Sequence, residues 1–409
     1  MKNQKRGRRG GIGKRGILFL LIFSALLRLP FSLAVCADGT KEDVMPASGA
    51  ALPTGAELPF DAEAKSVILM EAATGTVLCE KNADEALPPA SVTKVMTLLL
   101  VMEAIDGGTL SLDTPVSVSE YAASMGGSQV YLEPGETMPV SDLLKSVVVA
   151  SANDAAVALA EQVSGSVEAF VTRMNERAAE LGMKNTHFEN PTGLDDNVTN
   201  HLTSARDIAL MSRALMKHET IFQYTTIWMD SIRNGAFGLT NTNRLIRFYN
   251  GANGLKTGST SKAKFCISAT AKRDGMQLIA VIMGAPSRDD RNETAKKLLD
   301  YGFAHYRFLS YEGGEIGPAT VKGGEKDSVM LRYEGTEAVV PKSGEATETK
   351  TDVPSELKAP LKVGESVGKV TFLLGETVIG EAPVTVTEEI PRIGYGAILL
   401  RLFRAFFFA

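Results

Sequence analysis

A helix that is apolar on every face has to be buried, and one such helix dictates how the rest of this chain is arranged. Pro88-Pro89-Ala90-Ser91-Val92-Thr93-Lys94 runs into Val95-Met96-Thr97-Leu98-Leu99-Leu100-Val101-Met102. Proline is tolerated in the first turn of a helix and nowhere later, so the pair marks an entry. The run behind it has no polar face, which places the helix inside a domain. Its first turn nevertheless carries a hydroxyl and an amine, and polar groups cost free energy to bury without partners. Ser91 and Lys94 are three residues apart and share a helix face. A serine becomes a nucleophile when a base takes its proton, and a lysine is a base when burial or a second cation keeps it neutral. Free N–H groups at the helix start would stabilise an oxyanion there.

Ser-x-x-Lys alone carries little information. It recurs at Ser259–Lys262, Ser261–Lys264 and Ser355–Lys358. The Ser91 copy stands out by its company: Ser151-Ala152-Asn153 and Lys256-Thr257-Gly258 follow it in order. The periodicity puts the first at a helix start, the second at a break between helices, and the third on an edge-like strand.

The ends read as addresses. Residues 1–37 hold eight of the 43 basic side chains and none of the 48 acidic ones. Seven of the eight precede the apolar run Ile17–Leu27, and Val35-Cys36-Ala37 suits cleavage after Ala37, so 1–37 is expected to be a secretory signal peptide. Arg8-Arg9 lacks the flanks of a twin-arginine signal, and Val35 disfavours Cys36 as a lipidation site. The remainder carries 35 basic against 48 acidic side chains, which disfavours nucleic acid as a partner. At the other end, 390–409 mixes Leu, Ile and Phe with Arg392, Arg401 and Arg404 and no acid. It is too short and charged to span a membrane but suits an interfacial helix on an anionic surface. A terminal helix folded onto its own domain is the alternative.

Between the ends, 38–58 is Ala/Gly/Pro-rich and linker-like. Strands are expected at Ser66–Met70 and Thr76–Glu80 around a Thr74-Gly75 turn. Helices are expected from Ser91 to Gly107, from Ser141 as cap to Val149, over Asp154–Val163, Ser166–Leu181 and Ser204–Lys217. Strands around Leu255, Phe265–Ala271 and Gln277–Met283 and a helix over Arg288–Gly302 close this part. Strands before and after a helical middle predict an α/β domain over 59–306, its antiparallel sheet built by both ends and its helices inserted between. From 311 to 389 helical periodicity vanishes. Short strands at Thr320–Lys322, Ser328–Tyr333, Glu337–Val340, Ser366–Phe372, Glu376–Ile379 and Val384–Thr387 predict a small all-β domain. Cys79 and Cys266 lie in apolar runs and read as buried free thiols. The four histidines are scattered and read as structural or exposed. No Cys/His spacing suits a metal, and no cofactor is expected.

The ordered triple of motifs resembles the signature shared by penicillin-binding proteins and class A β-lactamases. Ser151-Ala152-Asn153-Asp154-Ala155-Ala156, Asn190-Pro191-Thr192-Gly193-Leu194, Ser204-Ala205-Arg206-Asp207 and Gly254-Leu255-Lys256-Thr257-Gly258 narrow the resemblance to the D-alanyl-D-alanine carboxypeptidases, over about 59–390. The resemblance implies a β-lactamase/transpeptidase-like fold and a serine peptidase that cuts the stem peptide of peptidoglycan before its terminal D-alanine, with penicillins as covalent inhibitors. It implies Ser91 as nucleophile, Lys94 as base, Ser151 as proton relay and Asn153 as holder of the substrate backbone. Lys256 and Thr257 would meet the substrate carboxylate, Gly258 would let substrate lie against the strand, and the N–H groups of Ser91 and Ser259 would form the oxyanion hole. Arg244 and Arg247 are both open as a further carboxylate ligand. The absence of a Glu-x-x-Leu-Asn element argues against a β-lactamase, and the intact motifs argue against a non-catalytic sensor.

Overall fold

The computed structural model describes residues 55–196, 198–342 and 347–407. The expected signal peptide, Cys36 and the linker up to residue 54 lie outside the described residues.

The first domain is a six-stranded sheet with helices on both faces. Strands β1 (Ala56–Glu57), β2 (Ser66–Glu71) and β3 (Val77–Lys81) come first. Helices α1 (Lys94–Asp106), α2 (Val140–Lys145), α3 (Asn153–Ser164), α4 (Val167–Glu180) and α5 (Ala205–Met216) follow. Strands β4 (Ala252–Thr260), β5 (Lys264–Arg273) and β6 (Met276–Ala285) and helix α6 (Arg288–His305) complete it. The order across the sheet is β1-β3-β2-β6-β5-β4. β6 pairs antiparallel with β2, Ile279 opposite Met70, so the two ends of the domain meet in mid-sheet. The Lys256-Thr257-Gly258 strand, β4, lies at one edge of the sheet.

Strand alternation divides the core in two, because successive side chains point to opposite faces. Ile68, Met70, Ile279 and Val281 face the cluster around α1, whose Val95, Leu99 and Val101 are completely buried. Val67, Leu69, Leu278 and Ala280 face Leu298, Leu299 and Phe303 of α6. α1 is thus the central helix that its apolar sequence required.

Beyond α6 the chain is β-structure. β7 (Tyr306–Tyr311), β8 (Gly314–Lys322), β9 (Ser328–Tyr333) and β10 (Thr336–Pro341) are followed by β11 (Thr347–Asp352), β12 (Glu356–Lys358), β13 (Ser366–Leu374) and β14 (Thr377–Val386). β7 pairs with β10, and the other six form one sheet around Val329, Leu331, Val370, Phe372 and Val384. Helix α7 (Tyr395–Phe407) ends the described chain. Arg401 ties it to Asp327 at 2.7 Å and to the Glu325 carbonyl at 2.6 Å. Its Leu399, Phe403, Phe406 and Phe407 stay exposed, so the helix is not folded onto its own domain as an apolar element.

Two local expectations are corrected. Ser141 does not cap a helix to Val149; the helix starts at Val140 and gives way after Lys145 to a wider turn over Ser146–Ala150. That turn sets up the Ser151 conformation described below. Glu376–Ile379 and Val384–Thr387 belong to one strand, β14. Pro383 inside it breaks no ladder on one side, because β9 joins β14 only at Val384, Thr385 and Val386.

Candidate active site

The two prolines deliver the chain into a tight turn, Ala90–Thr93, which feeds α1. Ala90 has φ 50, a left-handed conformation uncommon for a residue with a Cβ. Lys94 is completely buried. Its Nζ lies 2.9 Å from Ser91 Oγ, 2.5 Å from Asn153 Oδ1 and 2.9 Å from the Thr192 carbonyl. Asn153 Nδ2 donates to the Gly126 carbonyl at 2.7 Å, which fixes Oδ1 toward the lysine. Burial and the nearby Lys256 push the Lys94 pKa well below the usual lysine value, against a weaker pull from Asp154. A neutral amine has two N–H bonds and one lone pair. The Asn153 and Thr192 oxygens only accept, so they take both N–H bonds. The lone pair is left facing the Ser91 hydroxyl.

The edge strand β4 lies across this turn. Lys256 is 1% exposed, and its Nζ donates to the Thr257 carbonyl at 3.0 Å. Burial, and then the charge of Arg291, lower its pKa to about 7. Arg291 is itself buried on α6, held by Asn292 Oδ1 at 2.9 Å. Thr257 Oγ1 donates to Thr242 Oγ1 at 2.8 Å. A Cβ on Gly258 would come within 2.8 Å of the Ser91 nitrogen and 2.9 Å of the Pro89 carbonyl. The glycine therefore lets the strand close onto the nucleophile turn, a different reason from room for substrate. Ser259, the next residue, is exposed.

Ser151 follows the wide turn over Ser146–Ala150 in the left-handed region, φ 62 and ψ 30, and α3 begins two residues later. The residue is 5% exposed. Opposite, the Asn190 side-chain oxygen accepts from the N–H groups of Thr192 and Gly193, at 3.1 and 2.7 Å. Thr97 donates to the Pro191 carbonyl at 2.6 Å. This loop aims the Thr192 carbonyl at Lys94.

The profile of the D-alanyl-D-alanine carboxypeptidase family matches residues 53–287, and that of the penicillin-binding protein 5 C-terminal domain matches 308–392. The D-alanyl-D-alanine carboxypeptidase DacF of Bacillus subtilis is 43% identical over 350 residues, 83% of this chain and 89% of that protein. The chain belongs to the D-alanyl-D-alanine carboxypeptidase family. Penicillin binding protein 5 of Haemophilus influenzae superposes with a TM-score of 0.75 at 32% identity, over 82% of this chain and 99% of that one. Penicillin-Binding Protein D2 of Listeria monocytogenes, solved with ampicillin bound, gives a TM-score of 0.55 at 31% identity, over 60% of this chain and 100% of that one. The carboxypeptidase fold expected from the motifs, with its appended β-domain, is therefore the observed one.

The structure brings Ser91, Lys94 and Asn153 into one hydrogen-bonded group. Lys256 acts on Lys94 through its field, and Gly258 touches the Ser91 backbone. Of the two arginines left open, Arg247 sits over the rings of Trp228 and Phe248 at 5.6 Å. Arg244 is exposed, two residues beyond Thr242. Sequence reasoning missed Thr192, Gly193, His201 and Arg291. The Asn190-Pro191-Thr192-Gly193 run was a visible signal for the first two, and nothing marked the other two.

Proposed function

We propose that this carboxypeptidase removes the terminal D-alanine of peptidoglycan stem pentapeptides through an acyl-enzyme on Ser91. The observation that carries the assignment is the completely buried Lys94 Nζ lying 2.9 Å from Ser91 Oγ. Ser91 Oγ attacks the carbonyl carbon of the penultimate D-alanine while its proton moves to Lys94 Nζ. The N–H groups of Ser91 and Ser259 receive the oxyanion. As the C–N bond breaks, the proton passes from Lys94 through the Ser151 hydroxyl to the leaving nitrogen. Water then adds to the ester, Lys94 takes its proton, and the proton returns to Ser91 Oγ as the ester C–O bond breaks. Lys256 and Thr257 hold the terminal carboxylate, and a bound anion favours the charged form of Lys256. Asn153 orients the substrate backbone while holding Lys94. A β-lactam meets the same groups and stays on Ser91; the ampicillin complex of the Listeria relative supports this.

Purified enzyme incubated with a peptide ending in Lys-D-Ala-D-Ala is expected to release D-alanine, and Ser91→Ala to release none. Full release by Ser91→Ala would remove the assignment.

In this reading residues 1–37 direct export, a linker shorter than the expected 38–58 leads to the first strand at Ala56, the domain up to residue 306 carries the chemistry, 311–389 form the β-rich domain, and 390–409 hold the enzyme to the outer face of the cytoplasmic membrane. No helix among the described residues is long and apolar enough to cross a membrane. The exposed apolar face of α7 beside Arg401 and Arg404 suits an anionic interface. The chain from residue 38 should float with phosphatidylglycerol vesicles, and a version ending at Glu389 should not. Equal flotation of both would sink the anchor.

A further inference from the structure

His201 lies beneath the nucleophile turn, 5% exposed, with both ring nitrogens committed. The Glu189 N–H donates to Nδ1 at 2.9 Å. Nδ1 is therefore an acceptor, and the ring proton sits on Nε2. Nε2 lies 2.8 Å from Thr93 Oγ1. The Thr93 hydroxyl spends its only proton on the Ala90 carbonyl, at 2.9 Å. The bond between His201 and Thr93 must then run from Nε2–H to Oγ1. Burial holds the His201 pKa down at about 4, so the ring is neutral at ordinary pH. The result is a one-way chain of hydrogen bonds that runs from the Glu189 N–H through His201 and Thr93 and ends on the Ala90 carbonyl as acceptor.

The end of that chain matters. The Ala90 carbonyl and the Ser91 N–H are opposite ends of one planar trans peptide. Pinning the carbonyl also aims the N–H. Ala90 is in the left-handed region, so local backbone preference does not hold this plane. The surroundings do, and a hydrogen bond to the carbonyl is the directional part of that hold.

We propose that Thr93 and His201 are positioning residues that fix the Ala90–Ser91 peptide so that the Ser91 N–H points at the oxyanion formed during acylation. Neither touches substrate. The inference rests on Ser91 being the nucleophile.

Thr93→Val keeps the shape and deletes the hydroxyl; Thr93→Ser restores it. His201→Gln keeps a nitrogen within reach of Thr93 but loses the acceptor for Glu189. For each, three quantities are measured: the rate of Ser91 acylation by benzylpenicillin, the affinity for a peptide boronic acid whose tetrahedral boronate oxygen mimics the oxyanion, and the KM for the D-Ala-D-Ala peptide. Thr93→Val is expected to lose about 10- to 100-fold in acylation and in boronate affinity. Its KM should stay within about 3-fold, because ground-state binding does not use the oxyanion. Thr93→Ser should stay near wild type, and His201→Gln should fall between. His201→Gln reads the same chain from its other end if Thr93→Val does not fold. Unchanged acylation and boronate affinity with a lowered unfolding temperature would overturn the proposal and leave a structural role only. Equal losses in Thr93→Ser and Thr93→Val would also overturn it. An adduct that persists in Ser91→Ala would instead strike the nucleophile assignment.

Discussion

Lys94→Met lowers the rate at which penicillin acylates Ser91 by about 10⁴-fold, the upper range for loss of a positioned base. Methionine matches the length of the lysine stem but has no lone pair to take the Ser91 proton. The Asn153 and Thr192 oxygens, which now receive the two N–H bonds, are left without a donor. The wild-type rate should climb with pH and level off well below the ordinary lysine range, because burial and Lys256 hold Lys94 neutral there. The variant should lack that limb. Stability carries the same signature. A lysine whose folded pKa is depressed binds fewer protons folded than unfolded, so stability rises with pH from the folded value up to the unfolded one. Lys256 contributes over the window from about 7 to 10.5, and Lys94, whose folded pKa is also depressed, contributes with the same sign. Lys94→Met should therefore flatten the rise. Stopped-flow acylation from pH 5 to 10 checks the first claim; a variant within 10-fold of wild type would show that another group is the base.

Gly193→Ala should be the most damaging small change outside the reacting residues. Gly193 has φ +81, and a Cβ there would stand 1.8 Å from the Ala90 carbonyl oxygen and 2.7 Å from Thr93 Oγ1. The obstacle is backbone, so it does not swing aside. Left-handed strain adds about 1 kcal/mol and forced overpacking about 1–3 kcal/mol. Any relaxation also displaces the turn that carries Ser91, so acylation falls together with stability. Gly165 is a matched control, with φ +79 and nothing within 4 Å of its Cβ position. Gly165→Ala pays the strain alone and should acylate normally. Thermal unfolding and acylation rates of the two variants separate the terms; equal behaviour would mean the close approach is unimportant.

The parts of the site that sequence made legible are local. Ser91 and Lys94 share a helix turn, and Lys256-Thr257-Gly258 is one strand, so spacing alone relates their side chains. The fold class was legible for a related reason: the short, nearly continuous apolar runs Ser66–Met70 and Gln277–Met283 mark strands buried on both faces, and the all-apolar α1 needs a sheet to cover it. What stayed hidden is long-range. Thr192 reaches Lys94 across 98 positions and His201 reaches Thr93 across 108. No periodicity encodes such a meeting. His201 looked like any scattered histidine because its role depends on the Glu189 N–H that fixes its tautomer. Arg291 lies within a charged helix, and nothing in its spacing shows that its guanidinium turns inward beside Asn292 and Cys266. The Ser151 conformation was hidden too, since a left-handed serine after a wide turn has no glycine to announce it.

Mass spectrometry of the enzyme after brief exposure to benzylpenicillin tests the central claim most directly. The account predicts a stable adduct of one drug mass, mapped to the peptide carrying Ser91 and absent from Ser91→Ala. An adduct on another residue, or intact drug with unmodified wild-type enzyme, would contradict it.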